Sequence, residues 1–449
     1  MQLSLLASGA VACLVLGLGS LVACSSSKAA SSPPTADAAD GATDEGGDGG
    51  EGSGDAGGEA EAAVPYPAFP PAVAQVENGK GGVLDKAKIV TVTFTSDMYS
   101  SNWQAFDDAI VTSAYFTGVT SEYGITSATS GAANHVLVTT PPPSPWDDGD
   151  IEGWVQQMAD DPTSGWPQAD SETLYVVYAP SNIMVTDDGT NACEVYGGYH
   201  TEIYGTATQT PVYMALILTS CYEGGPTQLL QEATESASHE IVEGVTDPNG
   251  FNGWIGFPAN DLAWSLWNDD QWEVADACEF FEEGYFVGPS DLPYWLSRIW
   301  SNAGAKAGHD PCSPVPSGPY NSVTPLGTES MSVTALIYNP DGTTSVGPYT
   351  TKGWRIAPGA TATVQVGFYS DAPMDAWTVT AVEGDCCTQP WTDVLTVTPS
   401  TFTGKNGDTM SLTIEVKEAP AGRTAALLSF ASVGEKNVTH FMPVVIGTY

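Results

Sequence analysis

A chain of 449 residues, 42% of them apolar, is long enough for two or three domains with cores of their own. Only 15% of residues are charged, and 54 acidic side chains face 12 Lys and Arg, for a formal net charge of −42. A surface of that sign repels phosphate backbones and anionic headgroups, which excludes nucleic acid as a partner and anionic lipid as a docking surface.

The chain opens on "LLASGAVACLVLGLGSLVAC", Leu5 to Cys24, an apolar run closed early by small residues. It reads as an export signal rather than a structural helix, with an uncleaved membrane anchor as the competing reading. Leu21-Val22-Ala23-Cys24 resembles the bacterial lipobox, although no Lys or Arg precedes the apolar run. The resemblance implies cleavage before Cys24, lipid on its thiol and amine, and attachment to the membrane through that lipid. Ser25 in the next position resembles the pattern for outer-membrane sorting. The expected location is therefore the bacterial cell envelope, with the globular part outside the cytoplasm. Residues 1–23 are the expected signal peptide. Residues 24–64 are an acidic tether of Ala, Gly, Ser, Asp and Glu, with too little to bury to offset the entropy of ordering. Its like charges extend it.

With Cys13 removed and Cys24 lipidated, six cysteines remain, an even number that favours disulfides outside the cytoplasm. Cys193, Cys221, Cys278 and Cys312 can pair in three ways, and the sequence neighbours Cys193–Cys221 and Cys278–Cys312 are preferred. No C-x-x-C occurs, which argues against a thiolate metal site. For Cys386 and Cys387 a vicinal disulfide, two free thiols and a contact with another chain all stay open.

A Pro-rich segment, "VPYPAFPPAV", leads into the first domain, residues 65–313. "KIVTVTFTS" alternates apolar and β-branched residues and predicts a strand. The spacing of Trp103, Phe106, Ile110 and Tyr115 predicts a helix over 102–116. A strand at Asn134–Thr140, a helix over 150–161 and two apolar strands, "SETLYVVYAP" and "PVYMALILTS", follow. A long helix then runs through "GPTQLLQEATESASHEIVEGVTDP". Strands alternating with helices indicate an α/β or α+β domain. "CSPVPSGPYNSVTP" reads as a linker. Over residues 314–449, seven short strands separated by turn residues predict an all-β, immunoglobulin-like sandwich.

The long helix carries the chemistry. In "ASHEIVEGVTDP", His239 and Glu243 are four residues apart and project side by side. Glu240 sits about 100° further round the axis. In H-E-x-x-H zinc hydrolases the second residue of the motif is the base that activates water; here Glu243 replaces the second histidine, and carboxylate is a legitimate zinc ligand. With five histidines in this composition the bare pattern arises by chance about 0.07 times. The competing reading is a solvated acidic helix of Glu232, Glu235, Glu240 and Glu243, but Leu229, Leu230, Ala233, Ala237 and Ile241 supply an apolar packing face. A third ligand has candidates in Glu273, Asp276 and Glu279, with Asp247 and Asp261 as alternatives. If Cys278 is bridged, Asp276 is pinned beside it. His200 is a further candidate, as ligand or as donor to a developing oxyanion. No G-x-S-x-G, phosphate loop or dinucleotide fingerprint is present, and the acidic loops "WDDGDIEGW" and "VTDDGT" lack the twelve-residue calcium pattern.

Taken in order, "SAYFTGVTSEYGI", "YGGYHTEI", "ASHEIVEGVTDP", "NDLAWSLWNDDQWEVADACE" and "YWLSRIWSNAGAKAGHDPC" resemble a family of exported bacterial HExxE-motif lipoproteins. That family is similar in turn to the plant exordium (phosphate-induced) proteins. The resemblance spans about Lys88 to Cys312 and leaves the C-terminal sandwich uncovered. It implies a metallopeptidase-like N-terminal domain with its site at His239, Glu240, Glu243 and Asp276. The expectation is a surface-anchored hydrolase in which His239, Glu243 and Asp276 hold Zn²⁺, with Ca²⁺ as the alternative. Glu240 and His200 are the catalytic candidates, and the substrate is a peptide or a wall polymer. The rival expectation is a non-catalytic adhesion or signalling protein with a structural cation or no metal. Nothing in the sequence speaks to oligomeric state.

Overall fold

The structure is a computed structural model that describes residues 66–203, 210–222, 224–258, 261–267, 273–279, 285–315, 318–338, 344–384, 394–419, 422–434 and 438–449. The signal, Cys24, the tether, Cys386 and Cys387 lie outside the described residues. The protein is rich in β-sheet, with few helices.

The first sheet is mixed. Strand β1 (Lys86–Phe94) pairs in parallel with β2 (Ser127–Thr129), β3 (His135–Val138) and β4 (Thr173–Ala179). Strand β5 (Gly198–Ile203) is antiparallel to β6 (Val212–Leu218), which is itself parallel to β4. The order is β2–β1–β4–β6–β5, with β3 also on β1. Every residue of β4 is buried, as a strand covered on both faces requires.

Alternation divides the sheet between two cores. Ile89, Leu174, Val176 and Ala215 face the side covered by helices α1 (Ser100–Ile110), α2 (Ala114–Thr120) and α4 (Pro226–Thr246). Val90, Val92, Tyr175 and Val177 face the other side, covered by α3 (Asp148–Asp160) and a group of tryptophans. The single helix expected over 102–116 is two helices. Ser113 leaves the helical conformation, and its Oγ accepts the Phe116 N–H at 3.1 Å, which caps α2. Strand β5 was not among the expected strands; its "GYHTEI" has too little apolar alternation to declare itself.

The C-terminal part has ten strands among the described residues where seven were expected. They are β7 (Asn321–Leu326), β8 (Glu329–Tyr338), β9 (Thr344–Arg355), β10 (Thr361–Ser370), β11 (Trp377–Glu383), β12 (Leu395–Thr398), β13 (Thr401–Gly404), β14 (Thr409–Val416), β15 (Ala425–Val433) and β16 (Thr439–Gly447). One sheet has the order β7–β10–β14–β12, the other β8–β9–β16–β15–β11–β13. All pairings are antiparallel except β9 with β16. Phe368 of the first sheet packs edge-on against Trp377 and Phe402 of the second, at 5.3 and 5.9 Å between ring centres, so the sheets face each other across a core. The segment expected to be linker contributes β7.

The two parts share one continuous apolar cluster. Trp267, in the short helix α5 (Leu262–Trp267), lies 5.8 Å from Phe441 of β16. Arg298 and His440 both reach the buried Asp310 carboxylate, at 2.6 and 3.2 Å. The Pro-rich segment expected to open the first domain touches both parts: Ala68 N–H donates to Asn406 Oδ1, Thr324 Oγ1 donates to the Phe69 carbonyl, and Trp264 Nε1 donates to the Ala72 carbonyl. No helix among the described residues is long and apolar enough to cross a membrane.

Candidate metal centre

Helix α4 is held against the sheet by small residues. Ala233 and Ala237 are fully buried, and Ser238 Oγ accepts the N–H of Ser297 at 2.8 Å while donating to the Glu235 carbonyl. Gly198 of β5 and Gly244 of α4 let strand and helix approach. A Cβ on Gly198 would sit 2.9 Å from Ser236 Oγ and 3.0 Å from Glu240 Oε1, and one on Gly244 would meet Leu174 at 2.9 Å. This proximity brings His200 under the C-terminal half of the helix.

His239 Nε2 lies 3.0 Å from Glu243 Oε2 and 3.0 Å from Asp276 Oδ1. The three groups expected to bind a metal are thus together, with donor atoms mutually within 4.8 Å. Asp276 begins the short helix α6 (Asp276–Glu279), and the disulfide from Cys278 to Cys312 fastens that helix. The second expected bridge, Cys193–Cys221, is also formed. Glu243 is almost wholly buried and serves two ends. Its Oε1 accepts the N–H groups of Ala275 and Asp276 at 2.9 and 3.1 Å, leaving Oε2 for His239.

His200 makes a second group beside the first. Its Nδ1 is 3.3 Å from Glu240 Oε2 and 4.0 Å from Glu243 Oε2. Its Nε2 donates to the Asp247 carbonyl at 2.9 Å and lies 3.2 Å from Glu273 Oε1. Glu273, one of the third-ligand candidates, therefore belongs to His200 and not to His239. Asp247 is consumed as a cap: its Oδ1 accepts the N–H of Gly253 at 2.7 Å. Asp261 lies in the field of Lys352 and is in neither cluster of ligand atoms. Glu279 is near enough for its charge to interact with His239 and Asp276. Ser238, Ser297 and Tyr115, whose hydroxyl donates to the Ser297 carbonyl at 2.8 Å, support α4 from behind. Sequence reasoning passed over them because their contacts span 59 residues or more.

The electrostatics are those of a carboxylate-rich interior. Burial pulls both imidazoles down, but the carboxylates overcome it: Glu243 and Asp276 raise His239, and Glu273 and Glu240 raise His200, both well above the ordinary histidine value. Burial and then repulsion from Asp276 raise Glu243. Burial raises Glu273 well above its usual range, with repulsion from Glu243 adding to it. For Asp276 burial also acts upward, yet the hydrogen bond and charge of His239 win and lower it. Among the described residues, the imidazoles are the only cationic groups paired with these carboxylates. Such a site takes up protons or a cation to balance its charge.

No family model matches this chain, and no curated protein matches it. Solved structures give distant likenesses. A nucleoside hydrolase-related hypothetical protein from Saccharophagus degradans aligns at 9% identity and a TM-score of 0.23, over 81% of this chain and 100% of that one. A GH5 xyloglucanase from Bacteroides ovatus aligns at 12% identity and a TM-score of 0.14, over 21% of this chain; this chain spans only 17% of the xyloglucanase. The D00-D0 domain of intimin aligns at 10% and 0.15, over 28% and 77%. Scores this low establish no shared fold, and the site is read from its own geometry.

Proposed function

We propose that this protein is a metal-dependent hydrolase of peptidase type, lipid-anchored at Cys24 to the bacterial envelope, with an N-terminal metallopeptidase-like domain and an immunoglobulin-like sandwich. The observation that carries the reading is the meeting of His239 Nε2, Glu243 Oε2 and Asp276 Oδ1, with Glu240 on the next position of the same helix. The donor set fits a divalent ion: one imidazole and two carboxylates, with Glu243 and Asp276 already oriented by backbone N–H groups. The imidazole nitrogen favours Zn²⁺ over Ca²⁺, which prefers oxygen alone. Such an ion, when bound, supplies Lewis acidity toward a carbonyl.

The chain's own residues do the rest. Glu240 accepts the proton of the attacking water and returns it to the leaving amine. Both nitrogens of His200 are occupied, one by Glu240 and the other by the Asp247 carbonyl, so His200 positions the base rather than reaching for a developing oxyanion. The resemblance to the exported HExxE lipoproteins and the exordium proteins supports a shared site. The sandwich offers a surface for substrate, wall polymer or a partner.

One observation favours a second reading, a non-catalytic envelope protein with a structural cation. Glu243 is only 2% exposed and ties α4 to α6, so an ion there also braces the fold. Zinc-loaded protein assayed on casein and peptide libraries separates the two. The hydrolase reading expects turnover that Glu240→Gln abolishes while the melting temperature and the zinc held by His239 persist. Absence of turnover in the zinc-loaded wild type, with chelation lowering only the melting temperature, would establish the structural reading instead.

A further inference from the structure

The nitrogen with which His200 positions Glu240 also faces Glu243. His200 Nε2 must carry a hydrogen, because the Asp247 carbonyl 2.9 Å away can only accept one. In a neutral ring the lone pair is then on Nδ1, which faces Glu240 Oε2 at 3.3 Å and Glu243 Oε2 at 4.0 Å. Three lone-pair donors pointing at one another need a cation between them or an extra proton on the ring. A histidine whose other nitrogen is bonded to a backbone carbonyl is the usual arrangement of a metal ligand, since that bond fixes the tautomer.

The Nε2 edge of the same ring is short of positive charge as well. The N–H on Nε2 is spent on Asp247, so Glu273 Oε1, 3.2 Å away, is buried with no hydrogen-bond partner. Asp247 is 0% exposed, and its Oδ2 also has none. Asp247 and Glu273 repel each other. Glu240, Glu243, Asp247, Glu273 and Asp276 crowd the space round two imidazoles, with Glu235 and Glu279 also in the field of His239. One divalent ion at His239 leaves this imbalance on the His200 side.

We infer that the site has a second cation position, formed by His200 Nδ1, Glu240 and the shared carboxylate of Glu243, so that Glu243 stands between two ions. This rests on the reading of His239, Glu243 and Asp276 as the first position and deepens it. A cation in the second position engages Glu240, the proposed base. The second position therefore regulates the first: filling one prepares the site, and filling both withdraws the base.

The test is equilibrium dialysis of the purified full chain against graded zinc chloride, with bound zinc counted by elemental analysis. Two zinc ions per chain are expected, taken up in two steps. Glu240→Gln, nearly isosteric, should keep the first step and weaken the second by at least about tenfold. His200→Ala should bind one, and His239→Ala should lose the first step; near-ultraviolet circular dichroism establishes that each variant is folded. Saturation of the wild type at one zinc, or two equivalents retained at wild-type affinity in Glu240→Gln, overturns the second position and leaves the first. Uptake of no zinc at all overturns both.

Discussion

Glu243 carries two separable loads, and two substitutions tell them apart. In Glu243→Ala the N–H of Ala275 loses its acceptor in a buried place and that of Asp276 in a half-buried one. Each unsatisfied buried donor costs about 1–3 kcal/mol, so the variant should lose about 2–6 kcal/mol, before any contribution from the void left by the side chain. In Glu243→Gln the amide oxygen takes over the position of Oε1 and keeps both bonds, while the amide nitrogen replaces Oε2 opposite His239. Removing the charge relieves the repulsion from Asp276 and gives up the attraction of His239, which keeps Asp276 as its partner at 3.0 Å. Measured in chelator, Glu243→Gln should therefore stay within about 1 kcal/mol of the wild type. It should nevertheless lose zinc, since an amide nitrogen is no ligand. Urea unfolding followed by tryptophan fluorescence gives the stabilities, and dialysis gives the metal. Equal stability of the Ala and Gln variants would mean that the two backbone bonds do not hold α6. Wild-type zinc uptake by Glu243→Gln would remove Glu243 from the coordination sphere.

Burial pushes the Asp107 carboxyl from 3.8 up to about 7, against the opposing bonds from Thr91 and Tyr178. A raised folded value means stability fully present below the unfolded pKa and lost as pH climbs through about 7, a total near 4 kcal/mol at 1.36 kcal/mol per unit. Asp107→Asn should flatten that decline in a pH series of unfolding curves; an unchanged slope refutes the assignment. Opening the 34-residue loop with Cys278→Ser and Cys312→Ser together should cost about 4 kcal/mol in the chain-entropy picture, and should weaken zinc binding by loosening Asp276. A variant with unaltered affinity would show that the bridge does not position the ligand. Gly198→Ala should destabilise by about 1–3 kcal/mol, because the new methyl meets the Leu216 carbonyl and Glu240. A neutral melting temperature would show that strand and helix have room to spare.

What could be read from the residues alone was local. His239 and Glu243 share a face because any helix places i and i+4 together, and the run from Leu229 through Ala233 and Ala237 to Ile241 announces that helix by its spacing. The central strands declare themselves as unbroken apolar runs, and the sandwich by alternation between turn residues. Asp276 was one of six third-ligand candidates on the residues alone, favoured because a bridged Cys278 pins it, and the structure sets it at 3.0 Å from His239. Tertiary structure decided the rest, because its causes are contacts between distant residues. Strand β5 earns its place by pairing with β6, a partner outside any local pattern, and only that pairing sets His200 against Glu240. Glu273 stood beside Asp276 as a candidate in the sequence, and Asp247 as an alternative. Folding assigned one to His200 and spent the other on the loop at Gly253, since a carboxylate's role follows from which donors surround it in space.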